Sequence, residues 1–151
     1  MEILFGPDPI QLKGAITKAN IVEVGGADPK DIVRCDQEWK TEVEWYLQGW
    51  VLNSAFFKFL GEWTVTLYLE SMGPGTEYKY EVAISVDDYD PAPDDRRDYK
   101  ATIEVGDHQV VACTYNAVVA ITYKGENGVP GPIAGHCVAA PSMVQFYVTQ
   151  H

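Results

Sequence analysis

Two stretches of alternating residues, 39–48 and 62–70, constrain the fold of this chain more than any other feature. In each stretch, mostly apolar side chains occupy every second position, and mostly polar side chains occupy the positions between them. The presumed inner sets are Trp39, Thr41, Val43, Trp45 and Leu47 in the first stretch, and Trp63, Val65, Leu67 and Leu69 in the second. Because successive side chains of a strand point to opposite faces, this pattern predicts two strands that each have one dry and one wet side. Three of the four tryptophans lie here, so we expect the hydrophobic core to be built around these strands.

The rest of the chain also consists of short segments that are bounded by residues typical of turns. Further strands are predicted at residues 16–24, 78–86, 99–105, 109–123 and 142–149. Residues 25–31 are predicted to form a turn, residues 32–35 are a short apolar run, and residues 124–141 are predicted to form an irregular excursion rich in Gly and Pro. Residues 50–60 have two readings: Ser54 caps a short helical turn, or residues 50–54 continue the sheet as an edge strand. The pattern predicts an all-β fold, an antiparallel two-sheet β-sandwich of seven to nine strands with little or no helix. Residues 1–14 are predicted to form an extended N-terminal arm, and residues 15–151 a single domain.

The charge balance narrows the classes of partner. Acidic side chains number 22 and basic ones 11, which gives a formal net charge of −11. Such a charge opposes binding to nucleic acid and to anionic membrane surfaces. The N-terminal residues have no basic region followed by a long apolar run, so we predict a cytoplasmic protein without a signal peptide or membrane-inserted segment. In a reducing compartment, the three cysteines are predicted to be free thiols.

The order Cys35, Trp45 or Trp50, and then Cys113 resembles the Cys-Trp-Cys arrangement of immunoglobulin domains. Over residues 15–150 the strand pattern resembles an immunoglobulin-like or fibronectin-III-like sandwich, at the level of architecture and not of a specific family. The family's tyrosine precedes its second cysteine by two positions, whereas Tyr115 follows Cys113 by two. The resemblance implies a Cys35–Cys113 disulfide as the alternative to free thiols. It also implies a fold used mostly for binding, although fold alone does not assign function.

Outward-facing aromatic residues suggest a binding surface. Tyr46 and Tyr68 fall on the polar sides of the two strong strands, close in sequence to Glu44 and Thr66. If those strands pair, the four residues form one exposed patch, and tyrosine is favoured in protein interfaces. We therefore predict a binding face for a protein, with a second copy of this chain as one such partner. Ordinary cross-strand pairing within the sheet is the alternative reading.

The segment 87–98 is the most acidic part of the chain. Its candidate ligands for Ca²⁺ are Asp87, Asp88, Asp90, Asp94 and Asp95. Carboxylate oxygens suit Ca²⁺, but the segment lacks the glycine and terminal glutamate of an EF-hand loop. The competing interpretation is a solvated loop with local Asp–Arg pairs. The default expectation is therefore no cofactor, with Ca²⁺ as the alternative; a zinc site at His136 and Cys137 lacks the paired spacing of structural zinc motifs.

Catalytic patterns are weak. His136 and Cys137 are adjacent, but neighbouring residues of an extended segment point apart, and no nucleophile motif surrounds them. Outward glutamates such as Glu44 and Glu62 resemble a glycosidase pair only by residue type. The sequence therefore favours a non-catalytic interaction or self-assembly module. A calcium- or ligand-binding sandwich and a small hydrolase are the alternatives.

Overall fold

The computed structural model describes residues 12–23, 32–53, 60–73, 75–107, 109–125 and 130–147. In these ranges the chain forms β-strands, one short 3-10 turn at Trp50–Asn53, and no α-helix. None of the described segments is a helix long and apolar enough to cross a membrane. The strands are β1 (Lys13–Glu23), β2 (Ile32–Arg34), β3 (Trp39–Gln48), β4 (Glu62–Ser71), β5 (Tyr78–Ser85), β6 (Asp90–Ala92), β7 (Arg96–Val105), β8 (Cys113–Lys124) and β9 (Pro130–Tyr147).

The strands form two packed sheets. Sheet A contains β1, β3, β7 and β6 in that spatial order, and sheet B runs β5, β4, β8, β9 and β2. Most neighbours are antiparallel, which confirms the predicted all-β sandwich. Two parallel contacts add to that prediction: β2 lies along the end of β9, and Asn20 of β1 pairs with Ala140 of β9, which joins the two sheets.

The alternating stretches form the core as predicted. The inner residues of β3 and β4 are almost fully buried, and side chains from the two sheets meet between the layers. Trp45 of β3 stacks on Tyr99 of β7, with ring centroids 5.5 Å apart, and meets Trp63 of β4 edge-on at 5.9 Å. These three aromatic side chains join sheet A to sheet B at the centre of the sandwich.

The predicted irregular excursion at residues 124–141 is wrong for the residues described there. Most of that segment belongs to β9, which pairs with β8 from Lys124 opposite Pro130 onward. Proline is tolerated in strands at edges and bulges. The first half of β9 satisfies both conditions: it has β8 on one side, no described strand on the other, and a register shift after Thr122. A second shift, between Asn116 and Val118, lets β9 bulge away from β8 where it touches β1.

Several predicted boundaries also change. The strand β1 begins at Lys13, which pairs with Gln48, so residues 13 and 14 belong to the sheet and not to an arm. The long strand predicted from residue 109 begins at Cys113. Residues 50–53 form a 3-10 turn, so the edge-strand reading is wrong there. Ser54, residues 1–11 and the turn predicted at residues 25–31 lie outside the described residues.

One core position carries an unpaired polar group. Thr41 is fully buried, and its hydroxyl has no hydrogen-bond partner. A buried hydroxyl without a partner costs about 1–3 kcal/mol. We expect Thr41→Val, which keeps the side-chain shape, to raise the free energy of unfolding by about 1 kcal/mol in urea titrations. The exposed Thr102→Val serves as control and should change it little; an equal gain in both variants would contradict this explanation.

Candidate binding surface

The two tyrosines predicted to form one patch lie on different sheets. The strand β3 pairs with β1 and β7, whereas β4 pairs with β5 and β8, so the expectation that the two strong strands pair is wrong. Tyr46 and Glu44 lie on the outer face of sheet A, and Tyr68 and Thr66 on the outer face of sheet B. The four residues therefore cannot form a single surface, because the sandwich separates them.

Thr66 is also much less accessible than its alternation predicts. It is 5% exposed, although it faces away from the core. It lies on the central strand β4, between Glu81 of β5 and Ala120 of β8 in register, so strands flank it on both sides. Tyr68, two positions on, is 39% exposed. On sheet B, Tyr68 thus keeps an accessible surface and Thr66 does not.

Sheet A carries a charged cleft of about 290 Å³, which we call the sheet A groove. Its polar lining residues are Thr17, Glu44, Asp90, Arg96, Asp98 and Lys100. They come from β1, β3, β6 and β7, so the groove crosses four strands of one face. Of the residues selected from the sequence, the structure brings Glu44 and Asp90 to this groove, and it places Tyr46 beside it.

Two local irregularities build the groove. The register between β1 and β3 shifts between Ile16 and Lys18, so Thr17 is an extra, bulged residue, and its hydroxyl donates to the Glu44 carbonyl oxygen at 3.2 Å. Bulges often occur beside functional sites because they redirect a side chain. At the other end, β6 folds back on β7 as a hairpin and sets Asp90 opposite Asp98.

Arg96 is the fixed cation of the groove. Its Nε donates to Asp98 Oδ1 at 2.7 Å, and its guanidinium lies over the Tyr46 ring, 4.1 Å from the centroid. A planar guanidinium held by a carboxylate and an aromatic face loses little additional freedom when a further group binds. The Tyr46 ring is thereby oriented toward the groove.

The remaining charges of the groove form no close ion pair, although Glu44 lies opposite Lys100 in register. Within the described ranges, Glu44, Asp90 and Lys100 make no ion pair. Asp90 faces the like charge of Asp98 in register, an arrangement that destabilises a strand pair. A group of positive charge bound there would relieve this repulsion.

Beside the groove, the charges are already paired. Glu42 accepts from Lys18 Nζ at 2.8 Å and lies 3.1 Å from Lys40 Nζ. The hydrogen bonds from these two lysines hold the pKa of Glu42 below its usual value. The Glu42 carboxylate is therefore already paired within sheet A.

Most of the acidic segment forms the hairpin of β6 and β7. Asp94 and Asp95 occupy the turn between β6 and β7 with φ of 66° and 57°, a region that Asp tolerates better than most residues. Asp95 Oδ1 accepts from Asn53 Nδ2 at 2.7 Å, which ties the hairpin to the 3-10 turn. In the described part of the chain, no three His, Cys, Asp or Glu side chains lie close enough to hold a metal ion. The structure thus places Asp90 in the groove and Asp88 in a smaller cleft that Asp90 and Asp98 also line. Asp87, Asp94 and Asp95 line neither cleft.

The cysteines give no activated nucleophile. Cys35, Cys113 and Cys137 are free thiols, so the disulfide implied by the resemblance is absent. Burial raises the pKa of Cys35 and of Cys137, whereas a nucleophilic thiol requires a lowered one. The His136 side chain lies outside the described part of the structure.

Four groove residues were not identified from the sequence as site residues: Thr17, Arg96, Asp98 and Lys100. For Thr17 the sequence contains one indication: the alternation of the first predicted strand is imperfect where the bulge occurs. The other three depend on which strands become neighbours, and their own alternation carries no such information.

No protein family and no curated protein matches the sequence. Among solved structures, the chain is similar to the major pilin subunit of Bacillus cereus, with 10% identity and a TM-score of 0.44, over 92% of this chain and 42% of the pilin. It is also similar to a β-glucosidase from Listeria innocua, with 9% identity and a TM-score of 0.37, over 96% of this chain and 17% of the enzyme. The chain thus spans less than half the length of either.

Proposed function

We propose that this chain is a non-catalytic module that binds another protein through the sheet A groove. The observation that carries the proposal is the set of groove charges without a close ion pair among the described residues, Glu44, Asp90 and Lys100, beside the fixed Arg96–Tyr46 pair. Charges left unpaired within the chain remain available to a partner, and complementary charges give an interface its orientation and specificity.

The size and lining of the groove favour a protein partner over a small molecule. Sites for small ligands are usually about 300–1,000 Å³ and mainly apolar. At about 290 Å³ with charged walls, the groove suits one or two side chains of a partner whose remaining contacts lie on the flat sheet around it. Arg96 lines the groove and Tyr46 lies beside it, and arginine and tyrosine are among the residue types most enriched where binding energy is concentrated.

The charge of the chain favours a partner that presents a basic side chain. The net charge of −11 steers basic surfaces toward the protein. At the groove, a lysine or arginine of the partner would meet Asp90 and Asp98, and an acidic group next to it would meet Lys100. The partner would therefore carry neighbouring charges of both signs, with the basic one directed to the hairpin.

The test compares a groove variant with a control of the same residue type. Immobilised wild-type protein, Tyr46→Ala/Arg96→Ala and Tyr68→Ala are exposed to extract of the source cells, and retained proteins are identified by mass spectrometry. We expect a partner held by the wild type and the Tyr68 variant but not by the groove variant. With the purified partner, calorimetry should show at least about a tenfold weaker affinity for the groove variant. A partner that binds all three forms equally, or the absence of any discriminated partner, would refute the proposal.

A further inference from the structure

The strand β5 is an open edge of sheet B. It pairs with β4 over eight residues without a bulge, and no other described strand pairs with it. The Val86 amide donates to the Gly61 carbonyl at 3.2 Å, and these residues continue the β4–β5 register. Because antiparallel residues alternate between bonding toward and away from a given neighbour, the amides and carbonyls of Lys79, Glu81 and Ala83 face the open side.

This edge lacks three of the usual protections against pairing with another chain. Natural edge strands are shortened, bulged, interrupted by proline or given charged side chains, and β5 has only the last of these. On sheet A, the edge strand β6 has three residues and contains Pro91. The strand β5 is eight residues long, regular and free of proline, and its charged residues Lys79 and Glu81 are of opposite sign.

The positions of those two charges select a register. In an antiparallel pair of two β5 strands, the register centred on Tyr80 places Lys79 opposite Glu81 of the second copy, and the two-fold symmetry repeats the contact. Centring on Glu81 would oppose two glutamates, and centring on Lys79 would oppose two lysines. A shift by one residue would turn the apolar row to the wet side. Within one chain, Lys79 Nζ lies 3.9 Å from Glu81 Oε2. Of these registers, only the one centred on Tyr80 also places opposite charges across the strand pair.

The inner side of β5 is also incompletely covered. Tyr78, Tyr80, Val82 and Ile84 face the core yet remain partly exposed, as the edge position leaves one flank open. Tyr78 and Tyr80 are stacked, with ring centroids 6.1 Å apart, and Tyr80 meets the buried Trp39 edge-on at 6.0 Å. The second copy would extend this aromatic row across the two-fold axis.

We propose that β5 pairs with β5 of a second copy of this chain, antiparallel and with Lys79 opposite Glu81 of the other copy. The result is a dimer in which the two B sheets become one continuous sheet. The pairing deepens the view of the chain as an interaction module, but it uses a different surface from the sheet A groove. The groove remains accessible in the dimer, since it lies on the other sheet.

Charge exchange at the edge tests the pairing. Lys79 and Glu81 side chains are 58% and 54% exposed, so substitutions there leave the fold intact, which thermal unfolding verifies. Solution mass is measured by sedimentation equilibrium over a range of concentrations. We expect a wild-type dimer, and at least a tenfold larger dissociation constant for Lys79→Glu and for Glu81→Lys, each of which places like charges opposite one another. The double variant K79E/E81K should recover the dimer.

Mixing the two single variants is the most direct test of the β5–β5 pairing. One chain then presents two glutamates and the other two lysines, so an equimolar mixture should form a heterodimer although neither variant dimerises well alone. Lys13→Glu, at an exposed position of β1 outside the sheet A groove, serves as control and should leave the wild-type mass unchanged. A monomeric wild type, or a dimer that is insensitive to these exchanges, would overturn the inference. Groove variants that lose a partner yet remain dimeric would separate this result from the proposed function.

Discussion

Replacing Trp45 with alanine will lower the free energy of unfolding by about 3–5 kcal/mol. The side chain is 1% exposed and contacts Tyr99 and Trp63, so its removal opens a cavity where the two sheets meet. A protein core closes such a cavity only in part, because the surrounding backbone belongs to paired strands. Since small domains are stable by about 5–15 kcal/mol, this variant should be close to unfolded at physiological temperature.

The chain supplies its own control for this experiment. Trp50 is the same residue type but is 59% exposed, in the 3-10 turn. Trp50→Ala should change the free energy of unfolding by about 0.5 kcal/mol or less. Urea unfolding followed by circular dichroism compares the two variants on one scale. Similar losses at both positions would show that the core is not centred on the contact of Trp45 with Tyr99 and Trp63.

Alkaline pH will destabilise the protein through two buried tyrosines. Burial raises the pKa of Tyr99 and of Tyr115 to about 12. The Tyr99 hydroxyl donates to the Val86 carbonyl at 2.7 Å, and the Tyr115 hydroxyl donates to the Val111 carbonyl at 2.7 Å. An ionised phenolate could not donate these bonds and would be poorly solvated, which is why the neutral form is favoured in the folded chain.

The direction in which stability changes with pH follows from the number of protons that the folded and unfolded states bind. Between about pH 10, where tyrosine ionises in the unfolded chain, and about pH 12, the folded state holds more protons, so stability falls as pH rises. A shift of two units corresponds to about 2.7 kcal/mol for each tyrosine. This stability is fully present below about pH 10 and is lost as the pH passes through the raised pKa.

Tyr99→Phe isolates one of the two contributions. The free energy of unfolding of wild type minus variant should decrease by about 2–3 kcal/mol between about pH 9 and about pH 12. Tyr68→Phe, at an exposed position on sheet B, should show no such change. Urea titrations across this range measure both. A difference that stays constant for Tyr99→Phe would mean that its phenol ionises equally in the folded and unfolded chains.

The sequence predicts the layers of this fold better than their edges. The inner rows of β3, β4, β5 and β7 follow from strict alternation, because burial on one side leaves a period of two. The strand β9 was missed since Gly131, Pro130 and Pro132 are typical of turns. These residues are nevertheless tolerated in the first half of β9, because β8 pairs with it on one side and only that side must donate hydrogen bonds.

The candidate site was predicted only in part for a related reason. Alternation correctly assigned Tyr46 and Glu44 to the outer side of β3, but it cannot say which strand lies next to β3. The strands β3 and β7 pair from Trp39 opposite Val105 to Gln48 opposite Arg96. These residues are far apart in the sequence. The pairing brings Arg96 and Lys100 to the groove, and it leaves Tyr68 on the opposite sheet.

Photo-crosslinking from the two tyrosine positions tests the central claim most directly. A benzophenone amino acid is placed at position 46, beside the sheet A groove, or at position 68, on the outer face of sheet B, and the protein is irradiated in its source cells. The account predicts adducts with a distinct partner from position 46 and none of comparable yield from position 68. Adducts from position 68 alone, or from neither position, would contradict binding through the sheet A groove.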